Sequence, residues 1–346
     1  MKQYRVTIGI PVYNVEKYIR MALESALAQT FEDIEFLILD DCGVDGSIDI
    51  VREYQQHHQR GCDIRIVSQP ANGGIGRARN RIIDEAQGKY LYFMDADDTI
   101  APHTIELLYG HAVKYNAQIV YGSYELVKEF EGQVEHIPYQ YPFLVFQKED
   151  EFADYVFRKY NGIQSTTWNF LVDIDVLKKN SLYYQSVNYW EDLSFTLDLP
   201  TYITRAVLLP DITYSYHCRY GSLSNFDKRD SIDKEEILRT IKAVNQNKEN
   251  TDRLRQKTYF PKRMYKLMMT DFYMVCSILS KKKIIKPAFS DREICAIMAS
   301  PLSLYEILHF RQVRLSNLML YILGVLPPFF SVFLMERIGK AKGLVT

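Results

Sequence analysis

The stretch Gly88-Lys89-Tyr90-Leu91-Tyr92-Phe93-Met94-Asp95-Ala96-Asp97-Asp98 decides the fold. Its first half is a run of aromatic and aliphatic residues, the pattern of a buried strand. Its second half sets Asp95, Asp97 and Asp98 within four positions. Carboxylates this close repel one another and resist burial. A divalent cation resolves the conflict. Mg²⁺ takes oxygen ligands, commonly one or two carboxylates plus substrate phosphates, and Mn²⁺ suits the same set. Strand ends are also where open α/β sheets bind ligands. One reading is therefore a metal–diphosphate site. The other is a turn in which Asp97, Asp98 or Thr99 caps a helix starting near Pro102. These residues alone leave both open.

Working outward, the chain before this strand alternates strands and helices. Tyr4–Ile10 reads as a strand that Pro11-Val12-Tyr13-Asn14 ends, because Pro breaks pairing and Asn favours turns. A helix over 15–29 carries Ile19, Ala22, Leu23 and Ala26 on one face. A second strand, Ile34–Leu39, is apolar on both faces and runs into the Asp- and Gly-dense loop Asp40–Ser47. A helix to His58 and a third strand over 64–68 follow. Asn72-Gly73-Gly74-Ile75-Gly76 then feeds a helix over 77–87, with Gly88 placed to cap it. Such spacing implies right-handed βαβ units and an open, mostly parallel sheet flanked by helices. The polar loops Pro11–Asn14, Asp40–Ser47 and Asp95–Asp98 then share one sheet edge, where a nucleotide can bridge them. The glycine loop lacks the G-x-G-x-x-G order, which counts against a dinucleotide-binding dehydrogenase.

The 346 residues suffice for one large domain, or a domain and an extension. A net charge of −1 gives no footing for nucleic-acid binding. Cys42, Cys62, Cys218, Cys276 and Cys295 are scattered, without paired ligand spacing. That argues against a disulfide framework or a zinc site and suits reduced thiols in a cytosolic chain. The opening MKQYR leads directly into a strand, with no signal-peptide pattern.

In order and spacing, the segments VTIGIPVYNVEKYIRMALESALAQTFEDIEFLILDDCGVDGS, NGGIGRARN and GKYLYFMDADD resemble the family-2 glycosyltransferases of GT-A fold. The resemblance covers about residues 4 to 225. It implies that Asp41 pairs with a nucleobase, usually uracil, and that Pro11, Tyr13 and Asn14 line the nucleoside. Asn72, Arg79 and Asn80 join this donor site. Asp95 and Asp97 face the ribose and donor, and Asp97 and Asp98 hold the metal, Mn²⁺ or Mg²⁺. Glu191-Asp192 matches the family's acidic pair, whose second member is the general base. Read without the family, Glu191-Asp192 is equally a helix start. The segment Tyr216–Ser224 resembles one that closes over the diphosphate, with His217 a candidate for metal and Arg219 for phosphate.

The remaining stretches carry less. Ile119–Val127 reads as a strand and Glu129–Phe146 as loop, since it holds Gly132, Pro138 and Pro142. Trp168 is either a sugar-stacking ring or a core tryptophan, and its type favours the core. Asp227–Asn250 reads as a solvated polar helix, and Tyr265–Leu279, Asp291–Ala299 and Leu304–Phe310 as further helices. The chain thus divides into a catalytic domain, 1–225, and a helical extension, 226–346. Within the extension, 315–336 is the apolar, membrane-associated candidate. Leu318–Met335 has no charge over 18 positions, but Pro327-Pro328 interrupts it. Arginines precede this run, and Glu336, Arg337 and Lys340 follow. A bent element at the membrane interface fits better than a span, and a hairpin packed on protein is its rival.

The expectation is an inverting transferase moving a sugar from a UDP-sugar to a glycan or lipid-linked glycan hydroxyl. Its process is surface polysaccharide synthesis, capsule or lipopolysaccharide. Its place is the cytoplasm, peripheral at the inner face of the cell membrane. The rivals are a sugar nucleotidyltransferase and a non-catalytic scaffold that keeps the nucleotide fold.

Overall fold

Strand β1 (Val6–Val12) is buried at every residue. It pairs in parallel with β2 (Ile34–Asp40) on one side and β4 (Tyr90–Phe93) on the other. Strand β3 (Ile64–Ser68) adds in parallel beyond β2. Helices α1 (Ile19–Leu27), α2 (Ser47–His57) and α3 (Ile75–Glu85) connect these strands. The computed structural model describes residues 3–130, 133–158, 163–185, 187, 191–218 and 231–345.

Two local expectations change here. Pro11 does not end β1: it stays opposite Leu39, and the β2 ladder runs on to Val12↔Asp40, while pairing with β4 stops at Gly9. Gly88 does not cap α3, which ends at Glu85 with Ala86 as its cap. The need for glycine there is a close approach, because a Cβ would lie 2.5 Å from the Thr7 backbone nitrogen. The Gly88 N–H donates to Thr7 Oγ1 instead.

Beyond β4 the sheet is mixed, not parallel. Strand β9 (Phe170–Asp173) runs antiparallel to β4, and β6 (Ile119–Phe130) antiparallel to β9. Strand β10 (Ala206–Cys218) is parallel to β6, and β5 (Thr99–Ile100) is antiparallel to β10. The stretch read as loop contains β7 (Gln133–Tyr139) on β6 and β8 (Leu144–Phe146) on β10. Pro138 misleads because, among the described residues, β7 pairs only with β6, and an edge strand tolerates a missing donor. Helices α4 (Thr104–Lys114), α6 (Ile174–Lys179) and α7 (Glu191–Asp198) complete this part, whereas α5 (Glu151–Arg158) belongs from Ala153 onward to the second of the chain's two units.

The chain divides into two units, Met1–Phe152 with Gln164–Asn225, and Ala153–Ile163 with Phe226–Thr346. The second unit holds α8 (Lys234–Glu249), α9 (Phe260–Ser280), α10 (Asp291–Ile297), α11 (Leu304–His309), α12 (Arg314–Val325) and α13 (Pro328–Ala341). Strands β11 (Ile232–Asp233) and β12 (Ile285–Lys286) pair within it. Helix α8 is not wholly solvated: Ala243, Val244, Asn247 and Lys248 are buried. Lys248 is in contact with the buried Asp271 of α9. Pro328 starts α13, as its fixed φ and missing N–H suit a first helical position. Among the described residues, no helix is long and apolar enough to cross a membrane.

Candidate active site

The loops that follow β1 and β2 are tied together. Asn14 sits at φ 52°, and its Oδ1 accepts from the Val44 N–H at 2.8 Å. Asp45 accepts from the Glu16 N–H at 2.9 Å, and Ser47 Oγ from the Val15 N–H at 2.9 Å. Asp41, nearly buried, draws in the β3–α3 loop. Its Oδ1 accepts from Gln69 Nε2 and the Gly73 N–H, and its Oδ2 from the Gly74 N–H at 3.1 Å. Gly74 takes φ +78°, a conformation side chains disfavour, and so turns this loop back onto Asp41. Pro11 is buried in β1, whereas Tyr13 and Asn72 are exposed on their loops.

The second cluster centres on Arg79 of α3, whose side chain is 4% exposed. Its Nη2 donates to Asp95 Oδ1 at 3.0 Å, and its Nη1 contacts Asp192 Oδ1 and lies 3.6 Å from Glu191. Burial works against the guanidinium charge, but the carboxylates of Asp192 and Asp95 outweigh it and raise its pKa. Burial raises Asp192, with Arg79 pulling against it. Burial, then the charge of Asp192, pushes Glu191 up to about 7. Thr167 Oγ1 donates to Asp192 at 3.0 Å and fixes its orientation. Asn80 spends its whole amide on the Tyr184 backbone, at 2.9 and 2.7 Å, and so anchors the segment leading toward α7. Tyr184 in turn stacks on Phe195 of α7 with ring centroids 4.2 Å apart.

The carboxylates of the opening stretch have separate surroundings. Asp98 is fully buried, and its oxygens accept from Tyr214 Oη at 2.7 Å and the His217 N–H at 2.9 Å. Burial, then the charges of Asp95 and Asp97, holds its pKa well above the usual carboxylate range. Asp97 is half-buried. The His217 ring lies 3.0 Å from Thr99 Oγ1, so β10 carries this imidazole to the Asp97–Asp98 turn. None of these acids caps the next helix, since α4 begins at Thr104 without a side-chain cap from His103. Trp168 is core: it is 5% exposed and stacks on Tyr214 at 4.5 Å and Tyr216 at 5.6 Å.

The structure therefore gathers Arg79, Asp95, Glu191 and Asp192 in one place, and Asp98 with His217 in another. Asp41 and Asn14 belong to the knitted loops. Arg219 lies outside the described residues, as do Tyr189 and Trp190. Sequence reasoning missed Thr167, Gln69 and Tyr214. Tyr214 gives no signal in sequence, being one more aromatic in an apolar strand. Among the described residues, no three His, Cys, Asp or Glu side chains form a metal cage by themselves.

Residues 7–177 match Glycosyl transferase family 2. Glycosyltransferase GlyA of Streptococcus pneumoniae is 37% identical over 128 residues, 37% of this chain and 18% of that protein. Cholesterol galactosyltransferase of Borreliella burgdorferi is 25% identical over 229 residues, 64% of this chain and 63% of its own. The match thus spans less than two thirds of either relative. A crystal structure of S. aureus TarS 1–349 in complex with UDP-GlcNAc shares the fold, with a TM-score of 0.58 at 16% identity over 98% of this chain and 92% of that one. Residues 7–177, from β1 into α6, thus resemble Glycosyl transferase family 2, and the sheet that carries the turn of acids after β4 shares the fold of TarS.

Proposed function

We propose that the protein moves a sugar from a nucleotide diphospho-sugar, foremost a UDP-sugar, to a hydroxyl of a glycan or lipid-linked glycan. The reaction is a single inverting displacement. It serves surface-polysaccharide synthesis at the inner face of the cell membrane. The observation that carries this reading is the meeting of Asp95, Glu191 and Asp192 on Arg79. An acid at the end of the donor-side strand and a candidate base 97 positions later in sequence share one cation.

Asp192 is the base. As the acceptor oxygen bonds the anomeric carbon, its proton passes to Asp192 and the nucleotide diphosphate departs from the opposite face. Thr167 and Arg79 hold the carboxylate in place. Its raised pKa makes it a stronger base than an exposed aspartate, and such bases contribute about 10²–10⁴ in rate. Asp41 supports base recognition: its Oδ2 accepts one protein hydrogen bond, and a carboxylate oxygen has room for another from a uracil imide. That TarS, of the same fold, crystallises with UDP-GlcNAc and with UDP makes UDP the nucleotide to test first. A cholesterol galactosyltransferase among the relatives supports a lipid-borne hydroxyl as acceptor.

A Mg²⁺ or Mn²⁺ ion fits this site. Burial, then the charges of Asp95 and Asp97, raises the proton affinity of Asp98, a surplus of negative charge that a cation relieves. Asp97, Asp98 and His217 offer carboxylate oxygen and imidazole nitrogen, a donor set suited to an ion that keeps water and diphosphate oxygens in its shell. When bound, it would neutralise the charge growing on the leaving diphosphate.

Calorimetric titration of UDP, GDP and CDP, with and without Mn²⁺, tests the reading. The expected result is Mn²⁺-dependent binding of UDP that weakens in Asp97→Ala. Folded protein that binds none of the three overturns it.

A further inference from the structure

The second unit exposes an apolar surface that no described residue covers. Leu315, Met319 and Ile322 of α12 are 75%, 45% and 44% exposed, at i, i+4 and i+7 on one helix face. Phe329, Phe330 and Phe333 of α13 are 68%, 58% and 48% exposed. The opposite faces are the buried ones, through Leu320 and Leu323 on α12 and Val332 and Met335 on α13. The two helices touch where the Ser331 hydroxyl donates to the Leu323 carbonyl. Single exposed apolar residues are ordinary, but so many on two neighbouring helices mark an interaction surface.

The charges around it say what kind. Between 304 and 346 the cations Arg311, Arg314, Arg337, Lys340 and Lys342 face only Glu306 and Glu336, in a chain whose net charge is −1. All five cations are exposed. Arg337 continues the Phe329–Phe333 stripe and lies over the Phe333 ring at 5.3 Å. A cleft of about 280 Å³ opens beside the same rings, lined by Phe329, Phe333 and Ile278, with Lys282, Asp291 and Glu336 among its walls. Lys283 and Lys286 follow, both exposed.

We infer that α12 and α13 dock on an anionic lipid surface, with their phenylalanines sunk among the acyl chains and the flanking arginines and lysines on the headgroups. Helices of 12 and 14 residues extend only about 18 and 21 Å at ~1.5 Å per residue, too short to span and suited to lying in the interface. A second copy is the lesser fit. A two-fold interface sets a patch against itself and would gather the cations of both copies, Arg314 and Arg337 foremost, along one seam, whereas anionic headgroups complement them. Lys340 is already paired with Glu336 at 2.7 Å.

Co-sedimentation of the full chain with phosphatidylcholine vesicles, with and without phosphatidylglycerol, tests this. Binding should be at least about tenfold tighter to the anionic vesicles. Phe329→Ser/Phe333→Ser and, separately, Arg314→Glu/Arg337→Glu should each weaken it about tenfold, with unchanged thermal melts. Three results would overturn the inference: no binding to anionic vesicles, equal binding to both kinds, or a wild-type dimer that the serine variant makes monomeric. Nucleotide titration of the same preparations is independent of vesicle binding, so failure of this surface is distinguishable from failure of the catalytic reading.

Discussion

Each unit of this protein buries an ion pair, and the two differ in charge balance. In the second unit one lysine meets one aspartate: Lys248 and Asp271 are 6% and 1% exposed, and the Lys248 ammonium also reaches the carbonyls of Ile297 and Ala299. In the first unit one guanidinium serves Asp95, Glu191 and Asp192. A balanced buried pair carries no net charge, although burial still pushes Asp271 up to about 7 against the pull of Lys248. An unbalanced one keeps a net negative charge, and the fold tolerates it only where something else supplies protons or positive charge. On the proposed function, this imbalance is what separates the reactive cluster from the structural one.

The largest effect expected is on transfer. Asp192→Asn keeps the shape of the side chain and removes its capacity to take a proton. Sugar transfer should fall about 10²–10⁴-fold while calorimetric UDP affinity holds. Normal turnover by this variant would mean that Asp192 is not the base.

Next comes the cation. Arg79→Met leaves three acids facing a buried methionine. Removing one partner of a buried pair costs about 3–5 kcal/mol, read as a fall in stability by urea denaturation. Adding Asp192→Leu should not restore it, because Asp95 and Glu191 still lack their partner. Full recovery in the double variant would reduce the cluster to a simple pair.

These groups also show how far the sequence could be read. The strands, the turn of acids after β4 and the parallel order of the first four strands follow from local pattern, since each is written in consecutive residues. The role of Arg79 is not local: its contact with Asp192 joins positions 113 apart. Nothing in an ARN triplet states which carboxylate will fold against it, and the expectation that Asp192 is the base came from family resemblance. Trp168 shows the same limit from the other side, since only tertiary packing makes it a core ring. Strand β7 was hidden because Gly132 and Pro138 are turn signals everywhere except at a sheet edge. In α8, polar composition disguised a buried face that includes Lys248, because the stem of a lysine packs as a hydrocarbon once its ammonium has a partner.

A smaller effect follows from proton affinity. Glu191 titrates at about 7, and Glu191 and Asp192 exchange charge as a pair. On the proposed mechanism Asp192 must be ionised to act, and burial raises its pKa, so it takes up a proton above the ordinary aspartate range as pH falls. The kcat/KM for transfer should therefore fall about tenfold per unit on an acid limb that lies above the ordinary aspartate range. Glu191→Gln removes the neighbouring proton site and should move this limb to lower pH. A limb unmoved by Glu191→Gln would assign it to another group.

The smallest effect belongs to the balanced pair. Lys248→Met alone strands a buried aspartate and should cost about 3–5 kcal/mol by urea denaturation, comparable to Arg79→Met. Lys248→Met/Asp271→Leu removes both charges and fills their space with hydrocarbon. Buried pairs replaced in this way are commonly neutral or more stable, so the double variant should lie within about 1 kcal/mol of wild type, or above it. The carbonyls of Ile297 and Ala299 set the limit, since they lose the ammonium as a donor. Transfer activity should be untouched, because neither residue belongs to the Arg79 cluster. If the double variant stays as unstable as Lys248→Met, the pair does more than balance itself, and charge stoichiometry no longer separates the two sites.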